Sequence, residues 1–160
     1  RASERSFQLL WQVIGRAGRG LTPGHAIIQT YSPQNYAIRA AAQQNYEMFY
    51  HQEMNIRESL VYPPFSRLAR LIFQHSDEEY TRIIVHRHRK LIEKAKATLG
   101  VYEVTVIGPI PAYPPKVNGR FRWQMILKAP GTSASLLPDL VNSLPKTQGW
   151  SFDIDPVNLA

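Results

Sequence analysis

A pair of prolines, Pro63-Pro64 within Tyr62-Pro63-Pro64-Phe65, falls between two stretches of different periodicity and sets the first limit on the fold. Proline fixes φ, lacks an N–H and drives the preceding residue out of helical geometry, so no regular helix runs through this point. Upstream, apolar residues recur mostly at helical spacing. Downstream, strand-like alternation and helical runs take turns. The expected organisation is therefore two parts, residues 1–62 and 63–160, in a mixed α/β (α+β) chain.

In the first part Ser3 can cap a helix whose apolar face is Phe7, Leu10, Trp11 and Ile14, ending in Gly15-Arg16-Ala17-Gly18-Arg19-Gly20. Thr22-Pro23-Gly24 suits a turn, and His25 to Tyr31 reads as a short buried strand. After Ser32-Pro33, the positions Tyr36, Ala40, Ala41, Tyr46, Phe49, Tyr50 and Met54 fit one or two helices, with a break near Gln44-Asn45.

The second part reads strand, helix, strand, strand, helix, strand. Arg67 to Gln74 is the first strand, and Ser76 with Glu79 forms a capping box for a helix that Gly100 closes. Val101 to Ile107, Arg120 to Leu127 and Trp150 to Asp155 are the other strands, with a short helix over Leu136 to Leu144. Pro109 to Pro115 stiffens an interstrand loop. The order βαββαβ is that of a ferredoxin-like unit, which covers one sheet face with helices and leaves the other available.

Composition narrows the chemistry. At 44% apolar and 19% charged residues the chain is globular, and 19 Lys+Arg against 12 Asp+Glu leaves +7, a balance that attracts phosphate-rich or acidic partners. With no cysteine, disulfides, thiolate metal sites and thiol catalysis are excluded within these residues. No apolar run reaches the roughly 18 residues of a membrane span, and the first residues lack a signal-peptide core, so an intracellular, cytoplasmic protein without a membrane partner is expected. The start without Met suggests a C-terminal piece of a longer chain.

The strongest local signal is Gln12-Val13-Ile14-Gly15-Arg16-Ala17-Gly18-Arg19-Gly20. Its glycine order is neither a dinucleotide fingerprint nor a phosphate loop. Arg16 and Arg19, three residues apart, can converge on one anion, and a guanidinium fork suits the charge that spreads over a transferring phosphoryl group. A basic, solvated helix end would look the same. On the Arg120 to Leu127 strand and just beyond it, Phe121, Trp123, Met125 and Leu127 share one face while Arg120, Arg122, Gln124 and Lys128 share the other, interrupted by Ile126. That outer face suits an anionic partner, with Tyr113 and Lys116 as weaker neighbours. A solvated sheet face is the plainer alternative. Asp77-Glu78-Glu79-Tyr80 imitates a magnesium-binding acidic box but reads as a helix first turn. His86 and His88, with His75 nearby, read as solvated basic surface rather than a metal site. Asp153 and Asp155 read as the polar side of the last strand rather than an acid/base pair.

QVIGRAGRG resembles the last motif of two-lobed RecA-like helicases. Together with YPPFSRLARLIF, the GP preceding NGRFRWQMILK, and the terminal DIDPVNLA, it makes nearly the whole chain similar to the C-terminal end of the PriA family of bacterial primosomal replication-restart helicases. The resemblance implies an ATP-driven 3′-to-5′ DNA helicase that recognises stalled or branched forks and starts primosome assembly. Residues 1–62 would end its second helicase lobe, with Gln12, Gly15, Arg16 and Arg19 facing ATP and Mg²⁺ held mainly by residues outside this chain. Zinc in the family is likewise bound by cysteines elsewhere. Residues 63–160 would bind branched and single-stranded DNA and the acidic C-terminal tail of the single-stranded DNA-binding protein, with Arg120 and Gln124 carried over as tail contacts, alongside other primosome proteins. A free-standing nucleic-acid-binding module and a small acid/base enzyme using Asp153 and Asp155 are the competing readings.

Overall fold

The computed structural model describes residues 2–17 and 24–157. It divides into two compact units, Arg1–Leu60 and Val61–Ala160.

In the first unit the described helices are α1 (Ala2–Ala17), α2 (Tyr36–Ala42) and α3 (Tyr46–Ser59). Helix α1 begins at Ala2 and runs through Gly15, so Ser3 is not its cap; it lies in the first turn. The break near Gln44-Asn45 is present. The Asn45 side chain accepts from the Met48 N–H and restarts the helix as α3. Phe7 stacks on Phe49 with ring centres 4.1 Å apart, and the small Ala37, Ala40 and Ala41 let the helices close around it. A polar network supports this core: the Tyr36 hydroxyl donates to Glu53 at 2.5 Å, and Arg57 donates to Glu53 at 2.7 Å and to Glu4 at 3.1 Å. The strand expected at His25 to Tyr31 is not formed. Ile27 is 96% exposed there, and among the described residues this unit has no strand to pair with its backbone groups.

In the second unit β1 (Ser66–His75), β2 (Thr105–Val117), β3 (Arg120–Pro130) and β4 (Trp150–Ile154) form a four-stranded sheet in the order β2-β3-β1-β4, every pairing antiparallel. Helices α4 (Glu78–Leu99) and α5 (Ser133–Asn142) join them in the expected order βαββαβ. Leu71, Met125, Leu127 and Ala69 from the sheet meet Ile92 of α4 and Leu137, Leu140 and Val141 of α5 in one core, so both helices cover the same face. Gly100 at φ 67 closes α4 with a left-handed cap, as its lack of a Cβ permits.

Four expectations need correction here. The α4 cap is Asp77, whose carboxylate accepts from the Tyr80 N–H, not Ser76; Asp77 stands immediately before the first helical residue, Glu78, so its oxygen meets the free donors of the first turn. Val101 and Val104 are core residues of the turn before β2, which begins only at Thr105. Pro109 to Pro115 lies within β2 rather than in a loop. An edge strand tolerates prolines because missing N–H groups can face away from the partner strand, and the register slips at Ile107/Ile110 and Pro111/Lys116 absorb the mismatch. Finally, His88 is not solvated: it is 4% exposed, with its ring centre 4.0 Å from that of Trp150.

Candidate functional site

The face of the sheet opposite α4 and α5 collects the even-numbered residues of β1 and β3, as alternation requires. Cross-strand register aligns Ile107, Ile126, Arg70 and Asp153 in one row and Ile110, Gln124, Ile72 and Ser151 in the next. Arg120 and Arg122 extend this face toward one end of β3 and Lys128 toward the other. Isoleucines thus alternate with cations, and Asp153 is the acidic side chain among the rows named.

The sequence-predicted residues are held differently. Arg120 is exposed at the start of β3. Arg122 is half-buried and donates through Nη1 to the Pro114 carbonyl at 3.1 Å, which leans it across β2. Gln124 is 7% exposed, and its Oε1 accepts from Arg70 Nε at 2.9 Å. The Lys128 ammonium lies 5.3 Å from the Tyr62 ring centre. Lys116 is on β2 rather than in a loop and pairs with Phe121, so it belongs to the opposite face, with its ammonium 4.2 Å from that ring centre. The face therefore brings together Arg120, Arg122, Gln124 and Lys128 and leaves Lys116 aside.

Sequence reasoning missed Arg70. Burial and the neighbouring Arg122 push its pKa down, and Asp153 opposes the effect. Its signal was available: in SRLARLIFQH the alternation puts Arg70 between Leu68 and Ile72, on the face left open by the helices.

Asp155 follows β4 at φ 54 and binds Arg67 at 2.6 Å, which holds its carboxyl below the usual carboxylate range. It is therefore an ion-pair partner at the sheet edge, while Asp153 faces Arg70 across the strands. Among the described residues no group of three His, Asp or Glu side chains could hold a metal ion. No described helix is long and apolar enough to cross a membrane.

This geometry occurs in a known setting. Residues 58–157 match the family model described as the primosomal protein N C-terminal domain. The chain belongs to that family. Relatives named replication restart protein PriA are 36% identical over 99% of this chain in Synechocystis, 39% over 80% in Bacillus subtilis and 36% over 99% in Treponema pallidum. The chain spans only 19%, 15% and 24% of their respective lengths. The open sheet face lies wholly within the primosomal protein N C-terminal domain match, whereas α1 precedes it.

On α1, Gln12 and Arg16 are exposed and four residues apart, on the side that also carries the exposed Leu9 and Val13. The buried side carries Phe7 with Leu10, Trp11 and Ile14 packed around it. Gly15 is in the helix with open space around it, and Arg19 lies outside the described residues.

Proposed function

We propose that the chain works as the C-terminal part of an ATP-driven 3′-to-5′ DNA helicase that recognises stalled or branched forks and starts primosome assembly in the bacterial cytoplasm, with the open sheet face as its docking surface. The relatives' name, replication restart protein PriA, supports the setting. The observation that carries the docking role is the open face itself: Arg120, Arg122 and Lys128 beside Ile72, Ile107, Ile110 and Ile126, on a sheet whose other side is filled by helices. Cations next to apolar side chains fit DNA phosphates and, above all, the acidic tail of the single-stranded DNA-binding protein, with Arg120 meeting a carboxylate and Gln124 the peptide backbone. The strand order β2-β3-β1-β4 with both helices on one side supports a ferredoxin-like reading of this domain.

The N-terminal unit, in this proposal, completes a RecA-like helicase lobe. Ile27 and Tyr31 are exposed apolar side chains that the rest of such a lobe would cover. Gln12 and Arg16 are donors on one exposed side of α1, as phosphate recognition needs, and Arg19 would join them. ATP with Mg²⁺ supplies the transferable phosphoryl group; these side chains orient it and stabilise its charge. In this proposal any zinc of the parent is held outside this chain, which has no cysteine to ligate it.

The test uses the intact parent. Arg16→Ala should lower DNA-stimulated ATP turnover by about 10³-fold or more while DNA affinity stays within about 2-fold. Unchanged turnover would return Arg16 to a solvated helix end.

A further inference from the structure

Arg70 is the buried cation of the open face. It is 8% exposed, in a part of that face where Ser66, Leu68 and Gln124 are buried as well, and its Nε–H donates to the Oε1 of Gln124. A guanidinium has donors only, so the glutamine must present its carbonyl oxygen to Arg70 and turn its amide nitrogen away. Among the described residues that nitrogen donates to no group, and it is not one of the polar atoms sealed from solvent, so it opens outward. A surface glutamine normally flips and offers either a donor or an acceptor. Gln124 is committed to offering a donor. Ile72 and Ile110 are its cross-strand neighbours, Ile126 follows on the same side of β3, and Arg122 precedes it.

We propose that Arg70 is a positioning residue that fixes Gln124 as an outward donor, so that this spot selects a carboxylate over a carboxamide on a docked acidic peptide with apolar side chains. The inference rests on the docking reading above, moves the Gln124 contact from the peptide backbone to the terminal carboxylate, and adds a residue and a selectivity. A fixed donor rewards an acceptor-only group. A carboxylate meets the donor with either oxygen and with its full charge, whereas an amide brings a single uncharged acceptor oxygen and must keep its NH₂ clear of Gln124.

The experiment titrates the full 160-residue chain by calorimetry with two synthetic acidic peptides ending in an apolar residue, one a free acid and the other C-terminally amidated. The wild-type chain should bind the free acid about 10-fold more tightly. Arg70→Met should weaken free-acid binding about 10-fold and close that gap. Gln124→Glu should keep the fold, since its carboxylate accepts from Arg70, yet reverse the preference toward the amidated peptide because its outward atom becomes an acceptor. In NMR spectra the Gln124 side-chain NH₂ signals should shift with the free acid and much less with the amide. Because Arg70→Met can unfold the domain, the Gln124→Glu reversal and the NH₂ signals decide independently. A wild-type chain that binds neither peptide overturns the docking reading and this inference with it. Clear binding, with the same preference in all folded variants and unmoved NH₂ signals, overturns the role of Arg70 alone.

Discussion

His88 gives the second unit a pH dependence that follows from its burial. Its ring lies against Trp150 and Phe152 of β4, and among the described residues its Nε2 is sealed without a hydrogen-bond partner. No charged group contributes to its titration: burial alone lowers its pKa from the ordinary 6.5 to about 4. A base depressed in the folded state leaves stability complete above its unfolded pKa and removes it as pH falls toward the folded one. At about 1.4 kcal/mol per pH unit, the whole range between 6.5 and about 4 corresponds to about 3 kcal/mol. From pH 7 to pH 5 the loss is about 2 kcal/mol. Asp155, Glu93 and Glu53 are all held below the usual carboxylate range, so their contributions are lost only at lower pH and the pH 7 to 5 window isolates the histidine. Thermal unfolding followed by near-ultraviolet circular dichroism, which reports the packed tryptophans, should show a midpoint roughly 10 °C lower at pH 5. His88→Leu should remove most of that difference. An equal drop in the His88→Leu chain would refute the reasoning.

Two further outcomes follow from the same structure. Gly149 has φ +95, and a Cβ there would sit 2.7 Å from Phe73 Cε2 and 3.0 Å from the Gln74 carbonyl, so Gly149→Ala should destabilise the domain by about 1–3 kcal/mol in urea unfolding; a variant as stable as wild type would show that β4 is placed otherwise. If Arg120, Arg122 and Lys128 meet phosphates, single-stranded DNA binding should weaken with salt at a log-log slope near −2, from about 0.7 per phosphate, and fluorescence anisotropy on the triple Gln variant should bring that slope close to zero; an unchanged slope would move the contacts off the sheet.

Local chemistry made the second unit legible. Alternation in β1 and β3 sorted core from open face, and Gly100 marked the end of α4 because only its left-handed conformation closes that helix. The proline-rich Pro109 to Pro115 misled because a sequence does not say which strand is an edge, and only an edge accepts so many missing donors. His88 misled because its helix is lined with Arg87, Arg89 and Lys90, while the aromatic ring that covers it comes from Trp150, far away in sequence. At the candidate site, the pattern found Arg120, Arg122, Gln124 and Lys128 together. It could not find that Gln124 is gripped by Arg70, because that bond joins two strands 54 residues apart. His25 to Tyr31 has the composition of a strand, but among the described residues its unit offers no strand beside it.

The docking role of the open sheet face is tested most directly by calorimetric titration of the acidic C-terminal tail peptide of the single-stranded DNA-binding protein into the wild-type chain and into Arg120→Glu. Arg120 is exposed at the start of β3, outside the core formed by Leu71, Met125 and Leu127, so circular dichroism should show the fold retained. The account predicts micromolar binding to wild type, weakened by salt, and at least a 10-fold loss in Arg120→Glu. Equal affinities in the two folded proteins would contradict it.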